Sequence, residues 1–435
     1  MQIAGKNILV LGAYGFIGAA VTRSLRAEGA RVSAFVRSAK SGAQVLGDIP
    51  QIQGDLRACL LPEDWDDHLQ GIDCVVNCAG ALQDGPADDL AAVHHTAIAA
   101  LGRACANQGI AVVQISAIGA EPDADTDFMR TKAAGDAALR ASGAALWILK
   151  PGLVIGQSDY GGTALLRMLA AVPLVQPIAY PDTPVQCVGM QDLCRAVGQA
   201  VAQDLPQGTY DLVEDTPASL FDVLAETRKW MGFPAARTTI AVPGVVTTLI
   251  SACADGLGHL GWRSPLRSNA MTVMADGVVG DPEPYRAATG QSLASLPQIY
   301  AGLTCSREHR LTARMSLLMP LVVGVLSLFW LLSGFIGLIS ISDAASVLTD
   351  AGWGMAMAVA SVLFWSFVDI ALGLAILRRP WAARACLAQV AVALFYLLAA
   401  SFTVPGLWLD PLGPLIKILP AMMLSLVAWP LLQSR

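Results

Sequence analysis

Charge is scarce in this chain. Only 14% of the 435 residues are Asp, Glu, Lys or Arg, against 54% hydrophobic residues. A soluble domain ordinarily carries about 25% charged residues. The deficit excludes a disordered or collagen-like chain and argues against a wholly soluble enzyme. The net charge is −6, so no global basic surface offers itself to the phosphate backbone, and no nucleic-acid partner is expected. The nine cysteines are scattered and odd in number, far from the density of a disulfide-built domain. No C-x-x-C occurs, which removes zinc ribbons and thioredoxin-type motifs, and no metal site is expected. Cys74 and Cys78, four apart in an apolar stretch, read as small buried apolar groups.

The deficit is uneven along the chain. From Leu311 onward the basic residues are Arg314, Arg378, Arg379, Arg384, Lys417 and Arg435, and the acids are Asp343, Asp350, Asp369 and Asp410. The first 310 residues hold 22 basic and 30 acidic residues, so the front is −8 and the rear +2. Four apolar segments fill the rear: Leu317–Ile341, Trp353–Leu377, Ala385–Val404 and Leu412–Leu432, interrupted only by Asp369 and Lys417. About 20 apolar residues cross a ~30 Å hydrocarbon core, which predicts four membrane helices. Trp353, Trp381 and Trp408 stand at segment ends, as interface anchors do.

Arginines precede the first span and fill the loop between the second and third. Acids fill the other two loops, and Arg435 closes the chain. The positive-inside rule then puts both termini on the cytoplasmic side, as in a bacterial inner membrane. A charge centred in lipid costs on the order of 3 kcal/mol or more. Asp369 and Lys417 are therefore expected to face the interior of the bundle, with snorkelling toward Asp410 as the other outlet for Lys417.

The front reads as alternating strands and helices. Lys6 followed by the apolar run Ile8–Val21 imitates a signal peptide. Three glycines interrupt it and Arg23 and Arg26 follow, so it reads as a strand entering a helix. The strand Asn7–Leu11, the turn Gly12-Ala-Tyr14-Gly15-Phe16-Ile17-Gly18, a helix to about Gly29 and the strand Arg31–Val36 form a G-x-x-G-x-x-G unit. Such glycines allow a tight turn, close approach of backbone to pyrophosphate, and tight helix–strand packing. Further strands are expected at Gln51–Gln53, Asp73–Asn77, Ala111–Ile115, Ala145–Leu149 and Tyr210–Val213. Helices are expected at Asp88–Gln108, Thr126–Ala141, Met190–Gln203 and Ser219–Met231. This alternation implies an α/β, Rossmann-type parallel sheet covered on both faces, followed by an all-α transmembrane domain. The expected boundaries are 1–303 for the first domain, with a small C-terminal substrate region, 304–316 for a linker and 317–435 for the membrane domain.

One segment fits neither half. Val246, Leu249, Ile250, Cys253 and Leu257 have helical amphipathic spacing but are too few to span. Two roles stay open: a core helix, or a helix that rests on the membrane or roofs the cleft.

Taken in order, the glycine turn, Gly54-Asp55-Leu56, Asn77-Cys-Ala-Gly80, Ile115-Ser116-Ala-Ile-Gly119, Phe128-Met-Arg-Thr-Lys132 and Lys150-Pro151-Gly152 resemble the atypical or extended short-chain dehydrogenase/reductase (SDR) superfamily. The branch most alike includes the nucleotide-binding accessory subunit of respiratory complex I. The rear, with Asp410-Pro-Leu-Gly-Pro-Leu-Ile-Lys417, resembles the DoxX-like membrane family. The resemblance implies a dinucleotide held by Gly12, Tyr14, Gly15, Phe16, Ile17 and Gly18. It adds Asp55 on the adenine amino group beside Leu56, then Ala79, Gly80, Lys132 on the nicotinamide ribose, and Pro151. It also implies catalytic roles for Ser116 and Lys132.

One position departs from that pattern. The family's tyrosine, four residues before the lysine, is Phe128 here, which removes the proton that a carbonyl reduction needs. Thr131 is a far weaker acid, and Tyr160 or Tyr180 from the substrate region is the competing donor. His94 and His95 read as packing or a polar helix face. The second strand ends Val36-Arg37-Ser38 with no acid before Asp48. A guanidinium and a hydroxyl suit a 2′-phosphate, so NADP(H) is expected over NAD(H). Two functions stay open. One is a membrane-anchored oxidoreductase or isomerase acting on a lipid or quinone-like substrate. The other is a catalytically silent nucleotide-binding subunit, or an assembly or regulatory factor, of a membrane complex.

Overall fold

The computed structural model describes residues 3–80, 89–262, 264, 266–411 and 413–433. Seven strands form one parallel sheet: β1 (Asn7–Leu11), β2 (Arg31–Val36), β3 (Gln51–Gln53), β4 (Cys74–Asn77), β5 (Ala111–Ile115), β6 (Leu146–Pro151) and β7 (Gly208–Leu212). Their spatial order is 3-2-1-4-5-6-7, the dinucleotide-fold order extended by one strand. Each strand is apolar because both faces are covered. In β1, Ile8 and Val10 enter one core with Val21, Leu25, Val113 and Leu149. Leu9 and Leu11 enter the other with Trp65, Ile98, Leu101 and Leu139, as the two-residue period of a strand requires.

The helices that matter to the site are α1 (Phe16–Ala27), α2 (Ala39–Leu46), α3 (Ala97–Gln108), α4 (Asp127–Ser142) and α5 (Met190–Ala202). The sequence reading placed these elements to within a few residues. Strand β4 begins one residue later than expected, at Cys74, and the Asp73 carboxylate just before it accepts from the Asn7 amide at 2.7 Å. The expected helix start at Asp88 lies outside the described residues. Ahead of α3, Ala92–Thr96 is a π turn. Helix α4 starts where Thr126 caps the Met129 amide, and it ends at Gly143 in the left-handed conformation.

The chain divides into two units. Met1–Ala252 with Pro265–Ala313 form the first, and Cys253–Ser264 with Arg314–Arg435 the second. The first adds to the sheet a smaller cluster built from Ile155, Leu166, Ile178, Leu220, Val223, Leu296 and Tyr300. Helix α6 (Gly244–His259) is cut by this division. The segment expected to be a linker, 304–316, is helical from Arg307, because it is the start of the long α7 (Arg307–Ile339).

The second unit is helical. α7, α8 (Met355–Ala375), α9 (Arg379–Thr403) and α10 (Pro414–Gln433) are each long and apolar enough to cross a membrane. Their outward faces carry side chains such as Leu321, Phe364 and Phe402, which suits lipid rather than water. Inside, Ser327 Oγ donates to the Gly373 carbonyl at 2.8 Å and Ser425 Oγ to Gln389 Oε1 at 2.9 Å. Asp369 faces inward as expected and is 4% exposed. It accepts hydrogen bonds from Ser333 Oγ and Tyr396 OH, each at 2.6 Å. Lys417 corrects the other half of that expectation: it is exposed on the outside of its helix. Its long stem lets the ammonium lie along the surface, so no inward partner is needed.

Candidate dinucleotide and catalytic site

The site is built where strand order reverses, between β1 and β4, at the carboxyl ends of both. This is where open parallel sheets bind ligands. Gly12 leaves β1 at φ +67°, and a Cβ there would stand 2.7 Å from Ala79 Cα after β4. A Cβ on Gly18 would meet the Gly12 carbonyl oxygen at 2.2 Å. The turn is thus closed tightly enough that only glycine fits, and it lays the backbone open to a phosphate. Gly15 precedes α1, and no side chain caps that helix. The first-turn amides, Phe16, Ile17 and Gly18, have no intrahelical partner and carry the positive end of the dipole. Tyr14 and Phe16 flank the turn half-buried, and Tyr160 stacks on Phe16 with ring centroids 6.5 Å apart.

At the far side of the turn, Arg37 is exposed at the end of β2. Ser38 caps α2 by accepting from the Ser41 amide, which leaves its hydroxyl proton for another acceptor. Asp55 is not a bare carboxylate. Arg57 grips it with a 2.6 Å bond, and that bond first, with Arg37 contributing, holds its pKa below the usual aspartate value. The Leu56 side chain is buried in the core with Phe35 and Trp65, so only its backbone is available to a cofactor.

The second half of the candidate site centres on α4. Lys132 is buried, and its Nζ donates to the Ile115 carbonyl at 3.0 Å. It lies 5.8 Å from the centroid of the Phe128 ring. Burial lowers its pKa, opposed by nearby Asp136. Ser116, just past β5, does not stand alone: its Oγ donates to Asp136 Oδ2 at 2.5 Å. Asp136 is 1% exposed and one turn beyond Lys132 on the same helix. Burial raises its pKa, opposed by the bonds from Ser116 and Gln114 and by Lys132. The chain of bonds continues from Gln114 to Asn77 at 2.8 Å, and Asn77 accepts from the Ala79 amide at 3.0 Å. One buried polar network therefore ties the loop after β4 to Ser116. Pro151 is buried at the end of β6, and its carbonyl accepts from the Ile118 amide at 3.4 Å.

His94 packs, one of the two roles its place in the helix suggested, and His95 is exposed. His94 is buried on the π turn, and its ring meets Phe128 edge to face at 5.5 Å. Thr131 Oγ1 donates to the Asp127 carbonyl at 2.8 Å, so the imidazole Nδ1–H donates to Thr131 across 2.9 Å. A Cβ built on Gly80 would lie 3.5 Å from His94 Nε2 and 3.9 Å from Lys132 Nζ. Gly80, His94, Phe128 and Lys132 thus share one corner. Burial, then the charge of Lys132, depresses the His94 pKa to about 3, so the ring is neutral. Asp136 was missed because four residues after Lys132 it looks like a solvated helix charge. Tyr180 sits at φ 54°.

Comparison with known proteins agrees with this geometry. Residues 12–167 match the NAD(P)H-binding family and residues 327–426 the DoxX-like family. No curated protein matches the chain. Among solved structures, the Bordetella bronchiseptica enzyme WbmH with NAD+ superposes with a TM-score of 0.52 at 16% identity, covering 69% of this chain and 97% of its own. The UDP-N-acetylglucosamine 4-epimerase of Bacillus cereus gives 0.51 at 17%, covering 71% and 100%. The dTDP-glucose 4,6-dehydratase of Bacillus anthracis with NAD gives 0.51 at 13%, covering 71% and 96%. At these identities the shared property is the fold.

Proposed function

From a chain that joins an NAD(P)-binding Rossmann domain to a DoxX-like integral membrane domain, we propose a membrane-anchored dinucleotide-binding protein without tyrosine-dependent carbonyl chemistry. The observation that carries this is Phe128. Its ring fills the position from which a phenol would deliver a proton, packed on neutral His94 and beside Lys132. The residues left in that corner fit cofactor binding. The glycine turn and the start of α1 suit the pyrophosphate, and Ala79, Gly80 and Pro151 border the nicotinamide end. Lys132 suits the ribose, and Arg37 with Ser38 suits a 2′-phosphate. When bound, the dinucleotide supplies a hydride donor or acceptor. The chain holds it, excludes water around Lys132 and fixes the Ser116 proton on Asp136. Such a module fits a regulatory or assembly role in a membrane complex. The charge pattern of the loops favours a bacterial inner membrane with the nucleotide domain in the cytoplasm.

A second reading is favoured by Tyr160 on Phe16: a reductase or isomerase for a lipid or quinone-like substrate, with the Tyr160 hydroxyl replacing the missing phenol. Purified full-length protein separates the two. The first reading expects tight dinucleotide binding and no NADPH oxidation with quinones, sterols or short carbonyls. Phe128→Tyr should then raise carbonyl reduction by ~10²-fold or more, the usual worth of a general acid. Robust wild-type oxidation that Phe128→Tyr fails to increase would overturn it.

Cofactor choice has its own test. Arg37→Ala should weaken NADP(H) about tenfold, the scale of one charge-assisted bond, and leave NAD(H) unchanged in titrations of both. Equal wild-type affinity for the two dinucleotides refutes the 2′-phosphate assignment.

A further inference from the structure

Helix α6 has its polarity turned inside out. Its buried positions are Thr247, Ser251 and Ala254, at 5–7% exposure. Its outward positions include Val245 at 84%, Leu249 at 66% and Ile250 at 42%, with Val246 and Leu257 also exposed. A helix facing water buries its apolar stripe and displays its polar one. Here two hydroxyl residues are inside and the large aliphatic side chains are outside. The sequence pattern correctly marked an amphipathic helix, and the structure shows that its apolar face is not in the core.

The segment that follows says what covers that face. Cys253–Ser264 belongs to the membrane unit. The Leu260 carbonyl accepts from the Arg379 amide at 2.9 Å, and Trp262 Nε1 donates to the Leu377 carbonyl at 2.5 Å. The Arg379 guanidinium lies 5.6 Å from the Trp262 ring, and that of Arg378 lies 4.4 Å from the Trp381 ring. Leu377 and Arg378 lie in the turn between the membrane helices α8 and α9, and Arg379 and Trp381 stand in the first turn of α9. The C-terminal end of α6 is therefore moored where two spans end, among the Trp and Arg residues that mark the boundary between hydrocarbon and headgroups. Sixteen residues extend only ~24 Å at ~1.5 Å per residue, short of a ~30 Å crossing.

We propose that α6 lies in the interfacial layer of the bilayer, with Val245, Val246, Leu249, Ile250 and Leu257 among the lipid acyl chains and Thr247 and Ser251 toward the protein. The partner is lipid. An inward hydroxyl face with an outward aliphatic face matches the polarity of an interfacial anchor, and the helix is continuous with residues bonded to the membrane bundle.

Site-directed spin labelling tests this on the full chain in nanodiscs of phosphatidylcholine and phosphatidylglycerol. Labels are placed at native Cys253, which is exposed, and, in a Cys253→Ser background, at Leu249→Cys and Leu257→Cys. Exposed Lys229→Cys serves as the water-facing reference. The expected result is collision with dissolved oxygen exceeding collision with the polar nickel reagent by several-fold at 249 and 257, and the reverse at 229. Two results overturn the proposal. Nickel access at 249 and 257 equal to that at 229 would put the face in water. Exclusion of both reagents, with or without spin–spin broadening, would put a second copy or another protein surface on it. The Cys253 label reads the same face without altering an aliphatic residue.

Discussion

Gly18→Ala should abolish measurable dinucleotide binding, weakening it at least ~100-fold, or ~2.7 kcal/mol. The added methyl would stand 2.2 Å from the Gly12 oxygen, 2.9 Å from the Gly12 carbonyl carbon and 3.0 Å from Ala13 Cα. All three are backbone atoms, so no side chain can swing aside. The turn must open, and the amides of α1 then lose their aim at the phosphates. Overpacking of this kind also costs ~1–3 kcal/mol of stability. Gly12→Ala should act alike, because its φ of +67° and its 2.7 Å approach to Ala79 Cα leave no room. Calorimetric titration with NADPH and NADH, alongside a melt of each variant, reads both effects. A stable Gly18→Ala protein that binds like wild type would show that the pyrophosphate does not rest on this turn.

The second large effect belongs to the membrane unit. Asp369→Leu should destabilise the detergent-solubilised chain by ~1–3 kcal/mol, since the half-buried Tyr396 hydroxyl and the exposed Ser333 hydroxyl lose their shared acceptor, and an orphaned hydroxyl costs about that much. Removing the whole cluster is a different matter. A buried charged group replaced with its partners by apolar residues is often neutral. Ser333→Ala, Asp369→Leu and Tyr396→Phe together should therefore recover to within ~1 kcal/mol of wild type, a strongly non-additive set. Thermal melts of the single and triple variants decide. Full stability of Asp369→Leu alone would mean that the two hydroxyls find other acceptors, and that the carboxylate is not the keystone of the cluster.

Much of this molecule is legible in its sequence. The sheet is, because a strand covered on both faces must be apolar throughout, and Ile8 to Leu11 is. The glycine turn is, because its spacing sits between a strand and a helix. The membrane helices are, because their length and lack of charge admit few other readings. Facing is harder. A helix apolar all round gives no phase, so Lys417 was assigned inward and is outside. Helix α6 gave a clear phase, but periodicity cannot say whether an apolar face meets protein or lipid. Asp136 is illegible for another reason. Nothing local distinguishes a buried charge from a solvated one, and only the approach of α4 to the end of β5 encloses it.

The bond from Ser116 to Asp136 has a consequence for ligand selectivity. The hydroxyl has a single proton, and the carboxylate holds it, so the serine presents only lone pairs to whatever enters. An oxygen in that state greets an alcohol or an amide N–H and turns away a carbonyl oxygen, which brings lone pairs of its own. A ligand that reached this corner would meet an acceptor at Ser116, which suits a hydroxyl better than a carbonyl oxygen. Restoring a phenol at position 128 would return an acid to the site without returning a second donor at Ser116.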